Sequence, residues 1–106
     1  MVTGSGGFIG QHMVWDIESR QTEVVKFDIS DGRDVTDAAS LALHMKGCDG
    51  VIHLAGVSRE SIAASLPSET ILTNVIGAWN VLECAVKENA WVILASTYKA
   101  DELDYW

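Results

Sequence analysis

Thr3-Gly4-Ser5-Gly6-Gly7-Phe8-Ile9-Gly10 stands directly after Met1-Val2 and opens a stretch with apolar residues at helical spacing. Glycines at 4, 7 and 10 clear side chains from a turn, so a bulky group can approach the backbone. The first N–H groups of the helix that follows have no partner within it. The spacing is Gly-x-x-Gly-x-x-Gly, but Gly4-Ser5-Gly6 also begins a Gly-x-Gly pattern, and the two readings overlap. A glycine triplet alone is equally a bare structural turn, so its meaning rests on what surrounds it.

Working outward, short runs crowded with β-branched residues read as strands at Glu23 to Asp28, Gly50 to Ala55 and Trp91 to Ser96. These runs are apolar on both faces, as a buried parallel sheet requires. Between them, 8–18, 37–45 and 68–88 carry apolar residues at helical spacing, for example Ile71, Val75, Ala78, Leu82 and Ala85. Alternating strands and helices predict right-handed βαβ units with helices on both sides of the sheet. Only two residues precede Thr3, whereas a strand usually has about five or six. The central strand is therefore expected to be a stub, and the sheet, ending near Trp106, to have about four strands and an open edge. We expect residues 1–106 to form one nucleotide-binding domain, shortened relative to a full fold, with no substrate domain.

Composition narrows the partners. The chain has 106 residues, 48% hydrophobic, enough for one real core, and a formal charge of −8 that would repel a phosphate backbone or an anionic membrane surface. Nucleic acid and membrane are not expected as partners. No apolar run approaches the roughly 18 residues of a span, and the start lacks a signal-peptide pattern. Cys48 and Cys84 are far apart in apolar stretches, which fits a reducing, cytoplasmic setting. His12, His44 and His53 have no partners at metal-ligand spacing, so no metal is expected, and His53 reads as a satisfied core histidine.

Asp28 lies eighteen positions after Gly10, at the end of the second predicted strand. After a glycine-rich strand-turn-helix, a carboxylate there can accept hydrogen bonds from both ribose hydroxyls of an adenosine and repel a 2′-phosphate. This favours NAD over NADP. A solvated strand-end aspartate beside Ser30, Asp31 and Gly32 is the plainer reading, and Arg33 keeps pairing with a 2′-phosphate open.

Thr3-Gly4 to Gly10, Asp28, Asp34-Val35, His53-Leu54-Ala55-Gly56, Asn74-Val75-Ile76-Gly77 and Ala95-Ser96-Thr97 together resemble the extended short-chain dehydrogenase/reductase family of NAD-dependent nucleotide-sugar epimerases and dehydratases. The order and spacing agree along the whole chain, but with only the front part of a family member. The resemblance implies an α/β fold of Rossmann type, a doubly wound parallel sheet in three α/β/α layers, here truncated. It implies that Phe8 and Ile9 offer N–H groups to a pyrophosphate at the Gly4, Gly7 and Gly10 turn, and that Asp34 and Val35 border the adenine. Leu54, Ala55 and Gly56 would line the ribose and phosphate path. Thr97, with Ser96 beside it, matches the catalytic serine or threonine, although a strand-end hydroxyl that merely satisfies a loop reads the same way. Asp34 could equally cap the helix near Asp37. Residues 58–65 resemble the loop over the sugar or are a plain surface connection.

One departure matters most. The family's Tyr-x-x-x-Lys pair, in which lysine lowers the tyrosine pKa, is absent; Tyr98 and Lys99 are adjacent and cannot share a helix face. Ser96-Thr97-Tyr98-Lys99-Ala100 is similar to the Ser-Thr-Asp-Lys-Ala segment of polysaccharide-biosynthesis dehydratases, while the short spacing from Asp28 to Asp34 is closer to the dehydrorhamnose reductase and uronate dehydrogenase branches. The expected function is cofactor binding for a sugar-nucleotide oxidoreductase or isomerase, inactive without a downstream domain to hold a nucleotide sugar or small sugar. The alternatives are a free-standing dinucleotide-binding or regulatory module and a degraded gene product with a vestigial turn. The long 68–88 helix resembles the one that pairs across family dimers, so self-association as a homodimer is expected. Gly77 within it implies close packing, and Trp15, Trp79 and Trp91 read as core or interface residues.

Overall fold

The structure is a computed structural model that describes residues 1–96. Val51 and Ile52 show how the sheet is built: adjacent in one strand, they point into opposite layers, and both are buried. Four parallel strands, β1 (Val2–Thr3), β2 (Lys26–Phe27), β3 (Gly50–His53) and β4 (Trp91–Leu94), lie in the order β2-β1-β3-β4. Helix α1 (Phe8–Ser19) covers one face, where Val14 packs with Val2 and Ile52. Helices α2 (Ala38–Met45) and α5 (Ala78–Glu88) cover the other, where Leu41, Met45, Val81, Cys84 and Ala85 surround Phe27 and Val51. This is the three-layer, doubly wound α/β arrangement that the alternation of elements predicts.

The strands are shorter than the sequence runs imply: β1 pairs with β2 at Val2 opposite Lys26 and Thr3 opposite Phe27, and the Val2 N–H also donates to the Val25 carbonyl at 2.9 Å. The Met1 ammonium donates to the Gly50 carbonyl at 2.8 Å, tying the start of β1 to β3. The cap of α2 is Asp37 and not Asp34: the Asp37 carboxylate accepts the Ala39 and Ser40 N–H groups at 3.1 and 3.0 Å.

The single helix expected over 68–88 is divided. A short α4 (Pro67–Ile71) runs into a π-helical turn over Leu72–Gly77, and α5 continues from it. Tertiary contacts act in the middle of the widened turn and at its end: Asn74 is bonded to Val57, and a Cβ at Gly77 would lie 2.5 Å from Val35 Cγ2. The close packing expected at Gly77 is thus against the loop after β2. Residues 58–65 contain a short helix, α3 (Glu60–Ser65), rather than plain loop. Trp15, Trp79 and Trp91 are not core residues: each is more than half exposed, although Trp91 lies across the face of Gly50. Among the described residues no helix is long and apolar enough to cross a membrane.

Candidate functional site

From β1 the chain crosses to β2 on one side; from β2 it returns past β1 to β3 on the other. The carboxyl ends of β1 and β3 therefore part around a crevice, where open α/β sheets bind ligands. The crevice is a cleft of about 470 Å³. Its floor is Gly4, Gly6 and Gly7; one wall is Phe27 to Ser30 with Arg33 to Val35, and the other is Leu54 to Val57 with Thr73.

The floor is shaped by two glycines. Gly4 has φ +67, and its N–H donates to the Phe27 carbonyl at 2.8 Å; a Cβ there would come within 2.7 Å of the Ala55 nitrogen. At Gly10 a Cβ would stand 2.0 Å from the Gly4 carbonyl oxygen, so only glycine lets α1 begin this close to the turn. The first intrahelical bond runs from Gln11 N–H to the Gly7 carbonyl, and Gly7 supplies no side-chain cap. The N–H groups of Phe8 and Ile9 in the first turn have no acceptor within the helix, whose positive end lies at this point.

At the end of β2, Asp28 is anchored from both sides. Its Oδ2 accepts the Gly6 N–H at 2.7 Å, and its Oδ1 accepts the Ser30 N–H at 2.9 Å and the Ser30 hydroxyl at 2.7 Å. Burial opposes its charge, but the hydrogen bonds from Ser30 and Gly6 outweigh it and hold the carboxyl below the usual aspartate range. Asp28 is thus an ionised acceptor with capacity left on Oδ2. Arg33 lines the same wall, with its guanidinium donating to the Lys26 carbonyl. Asp34 caps its own turn through the Thr36 N–H at 2.8 Å, while Asp37 serves α2.

The opposite wall hangs on a buried pair. The Thr3 hydroxyl accepts the Leu54 and Ala55 N–H groups at 3.2 and 3.3 Å, so its own proton goes to His53 Nδ1, 2.6 Å away. His53 is accordingly a satisfied core residue, and burial pushes its pKa down. The Asn74 amide then pins Val57 in both directions, Oδ1 accepting its N–H at 2.7 Å and Nδ2 donating to its carbonyl at 2.9 Å. Imidazole nitrogens of His12 and His44 are engaged by the Phe8 and Ser40 carbonyls of their own helices.

The structure brings Gly4, Gly7, Asp28, Asp34, Val35, Leu54, Ala55 and Gly56 into one cleft, with Phe8, Ile9 and Gly10 in the adjoining first turn of α1. Ser96 is exposed just past β4 and does not line the cleft; Thr97 lies outside the described residues. Gly6, Ser30, Val57 and Thr73 are cleft residues not singled out as ligand contacts from sequence. Signals existed for two of them: Gly6 through the overlapping Gly-x-Gly pattern, and Ser30 through its position two residues after an aspartate, the spacing of an Asx turn. Chemically, N–H groups without an intrahelical partner beside a fixed carboxylate suit a ligand that carries both phosphate oxygens and free hydroxyls.

The chain is similar to known proteins in sequence and in fold. A UDP-glucose 4-epimerase of Rickettsia canadensis is 41% identical over 68 residues, which are 63% of this chain and 20% of that protein. A uronate dehydrogenase variant from Agrobacterium tumefaciens, solved with NAD, is 29% identical with a TM-score of 0.75, over 91% of this chain and 39% of its own. UDP-glucose 4-epimerase from Thermus thermophilus in complex with NAD is 25% identical with a TM-score of 0.81, over 91% of this chain and 36% of its own. The chain thus spans well under half the length of these relatives. The profile of the NAD dependent epimerase/dehydratase family matches residues 1–102, nearly end to end, and the chain belongs to that family.

Proposed function

We propose that the cleft binds NAD and that the chain is the NAD-binding part of an epimerase/dehydratase-type enzyme acting on a nucleotide sugar, without turnover of its own. The observation that carries this is the Asp28 carboxylate, held by Gly6 and Ser30 beside the open start of α1. The α1 N–H groups of Phe8 and Ile9 receive the pyrophosphate, Asp28 the adenosine ribose, Asp34 and Val35 the adenine, and Leu54, Ala55 and Gly56 the path toward the nicotinamide. Bound NAD supplies a hydride acceptor. The chain's own residues bind and orient it, and Thr97, with Ser96, offers a hydroxyl to the reacting sugar. NAD rather than NADP follows from a charge fixed where a 2′-phosphate would sit. The relatives solved with NAD support the reading.

A second reading, a free-standing dinucleotide-binding or regulatory module, is favoured by one observation: Tyr98, two residues after Ser96, is followed four positions on by Glu102 and not by a lysine. Self-association is part of either reading, because Ile71, Leu72, Val75, Ile76, Trp79 and Val86 are exposed along the α4 to α5 helix. A reducing, cytoplasmic setting agrees with the free Cys48 and Cys84. Calorimetric titration of the purified chain with NAD and NADP is the test: saturable NAD binding with weaker NADP is expected, and absence of NAD binding overturns the proposal.

A further inference from the structure

The loop that forms the Asp34-Val35 wall is tied to the sheet through Arg33 on the Lys26 carbonyl, and from the other side it is held by a helix. Thr36 N–H closes a local turn on Asp34 Oδ1, but the carbonyls of Val35 and Thr36 are held from another element altogether. Asn80, buried in α5, donates through Nδ2 to the Val35 carbonyl at 3.1 Å and to the Thr36 carbonyl at 3.2 Å, across 45 and 44 positions of chain. One turn earlier on the same helical run is Gly77, whose missing side chain makes room for Val35 Cγ2. One residue thus pulls the loop onto the helix by its backbone, and the other leaves the space into which its side chain sinks. Val35 is consequently buried while its neighbours Asp34 and Arg33 stay half-buried at the cleft.

We propose that Asn80, seconded by Gly77, is a positioning residue that sets the height of the Asp34-Val35 wall and so tunes affinity for the adenosine half of the dinucleotide. The inference rests on the cleft being an NAD site. An amide is the group required, since two carbonyl oxygens demand a donor and a small neutral side chain must fit a buried space. Aspartate has the same shape but no proton to donate when ionised, and it would set a negative charge against both carbonyls.

The test measures affinities of the whole chain for NAD, AMP and inorganic pyrophosphate by calorimetry, in the parent and in Asn80→Asp. AMP needs the wall, whereas pyrophosphate needs only the start of α1. Asn80→Asp should lower NAD and AMP affinity by the same factor, about tenfold, with pyrophosphate affinity within about twofold of the parent. Gly77→Ala approaches the wall from its other contact and should weaken AMP in the same way. Adding Val35→Ala to Gly77→Ala should recover part of that loss, because the atom in conflict is removed. Unchanged AMP affinity in a folded Asn80→Asp chain, or in Gly77→Ala, overturns the inference while leaving the NAD reading intact. An equal fall for pyrophosphate also overturns it, by showing a general structural role. A parent that binds neither NAD nor AMP sinks the NAD reading, and this inference with it.

Discussion

Replacing Asp28 with asparagine removes one negative charge from the cleft while leaving side-chain volume nearly unchanged. In the structure the two carboxylate oxygens accept three protein hydrogens, one from Gly6 on Oδ2 and two from Ser30 on Oδ1. An asparagine can satisfy Ser30 with its carbonyl oxygen, but its NH2 group then faces the Gly6 N–H, donor against donor, where 2.7 Å now separates donor from acceptor. The variant loses the acceptor offered to the ribose and disturbs the glycine turn at once. A hydrogen bond to a charged group contributes about 1.5–3 kcal/mol, and each ~1.4 kcal/mol is tenfold, so NAD affinity should fall roughly tenfold to a hundredfold. NADP affinity should fall far less or rise, because the repulsion of its phosphate is relieved. Titration calorimetry with both cofactors at fixed ionic strength measures the ratio, and a melting curve establishes that the variant is folded. A folded variant that keeps the parent's NAD to NADP ratio would refute the assignment of Asp28.

Acid titration should show Asp28 taking up its proton only below the ordinary aspartate range: its folded pKa is depressed, so its stabilising contribution is complete above the unfolded value and disappears as pH falls through the folded one. Carboxyl carbon shifts followed by NMR would report it. His53 has its folded pKa pushed down by burial, so stability should decline as pH drops below about 6.5, the unfolded histidine value, and this decline should be missing in His53→Asn; urea midpoints across pH 7.5 to 5 decide it. Thr3→Val strips the acceptor from Ala55 and the donor from His53, while Leu54 N–H keeps its bond to the Thr3 carbonyl, and should cost about 1–3 kcal/mol in urea denaturation, with Thr3→Ser close to the parent. Gly10→Ala must displace the Gly4 carbonyl and should destabilise by about 1–3 kcal/mol or more while abolishing NAD binding. No turnover of UDP-, GDP- or dTDP-sugars is expected from the chain in an NADH assay, since general acid–base catalysis, about a hundredfold to ten-thousandfold, has no tyrosine-lysine pair to supply it. Turnover that vanishes in a Tyr98→Phe, Lys99→Ala double variant would overturn that.

Local pattern carried the elements and the turn. Runs such as Val51-Ile52 announce a strand buried on both faces, and the glycines at 4, 7 and 10 announce a backbone that something must approach, because both signals depend only on neighbours in the chain. The position of Asp28 was legible for the same reason: a strand of ordinary length after an ordinary helix delivers its end to a known rim. Tertiary structure alone decided what lies across the cleft from what. Asp28 meets Gly6 over 22 positions, Thr3 meets His53 over 50, and Asn80 meets Val35 over 45, and no periodicity encodes such pairs. The division of the 68–88 helix was equally invisible, since Asn74 on Val57 and Gly77 on Val35 act from outside it.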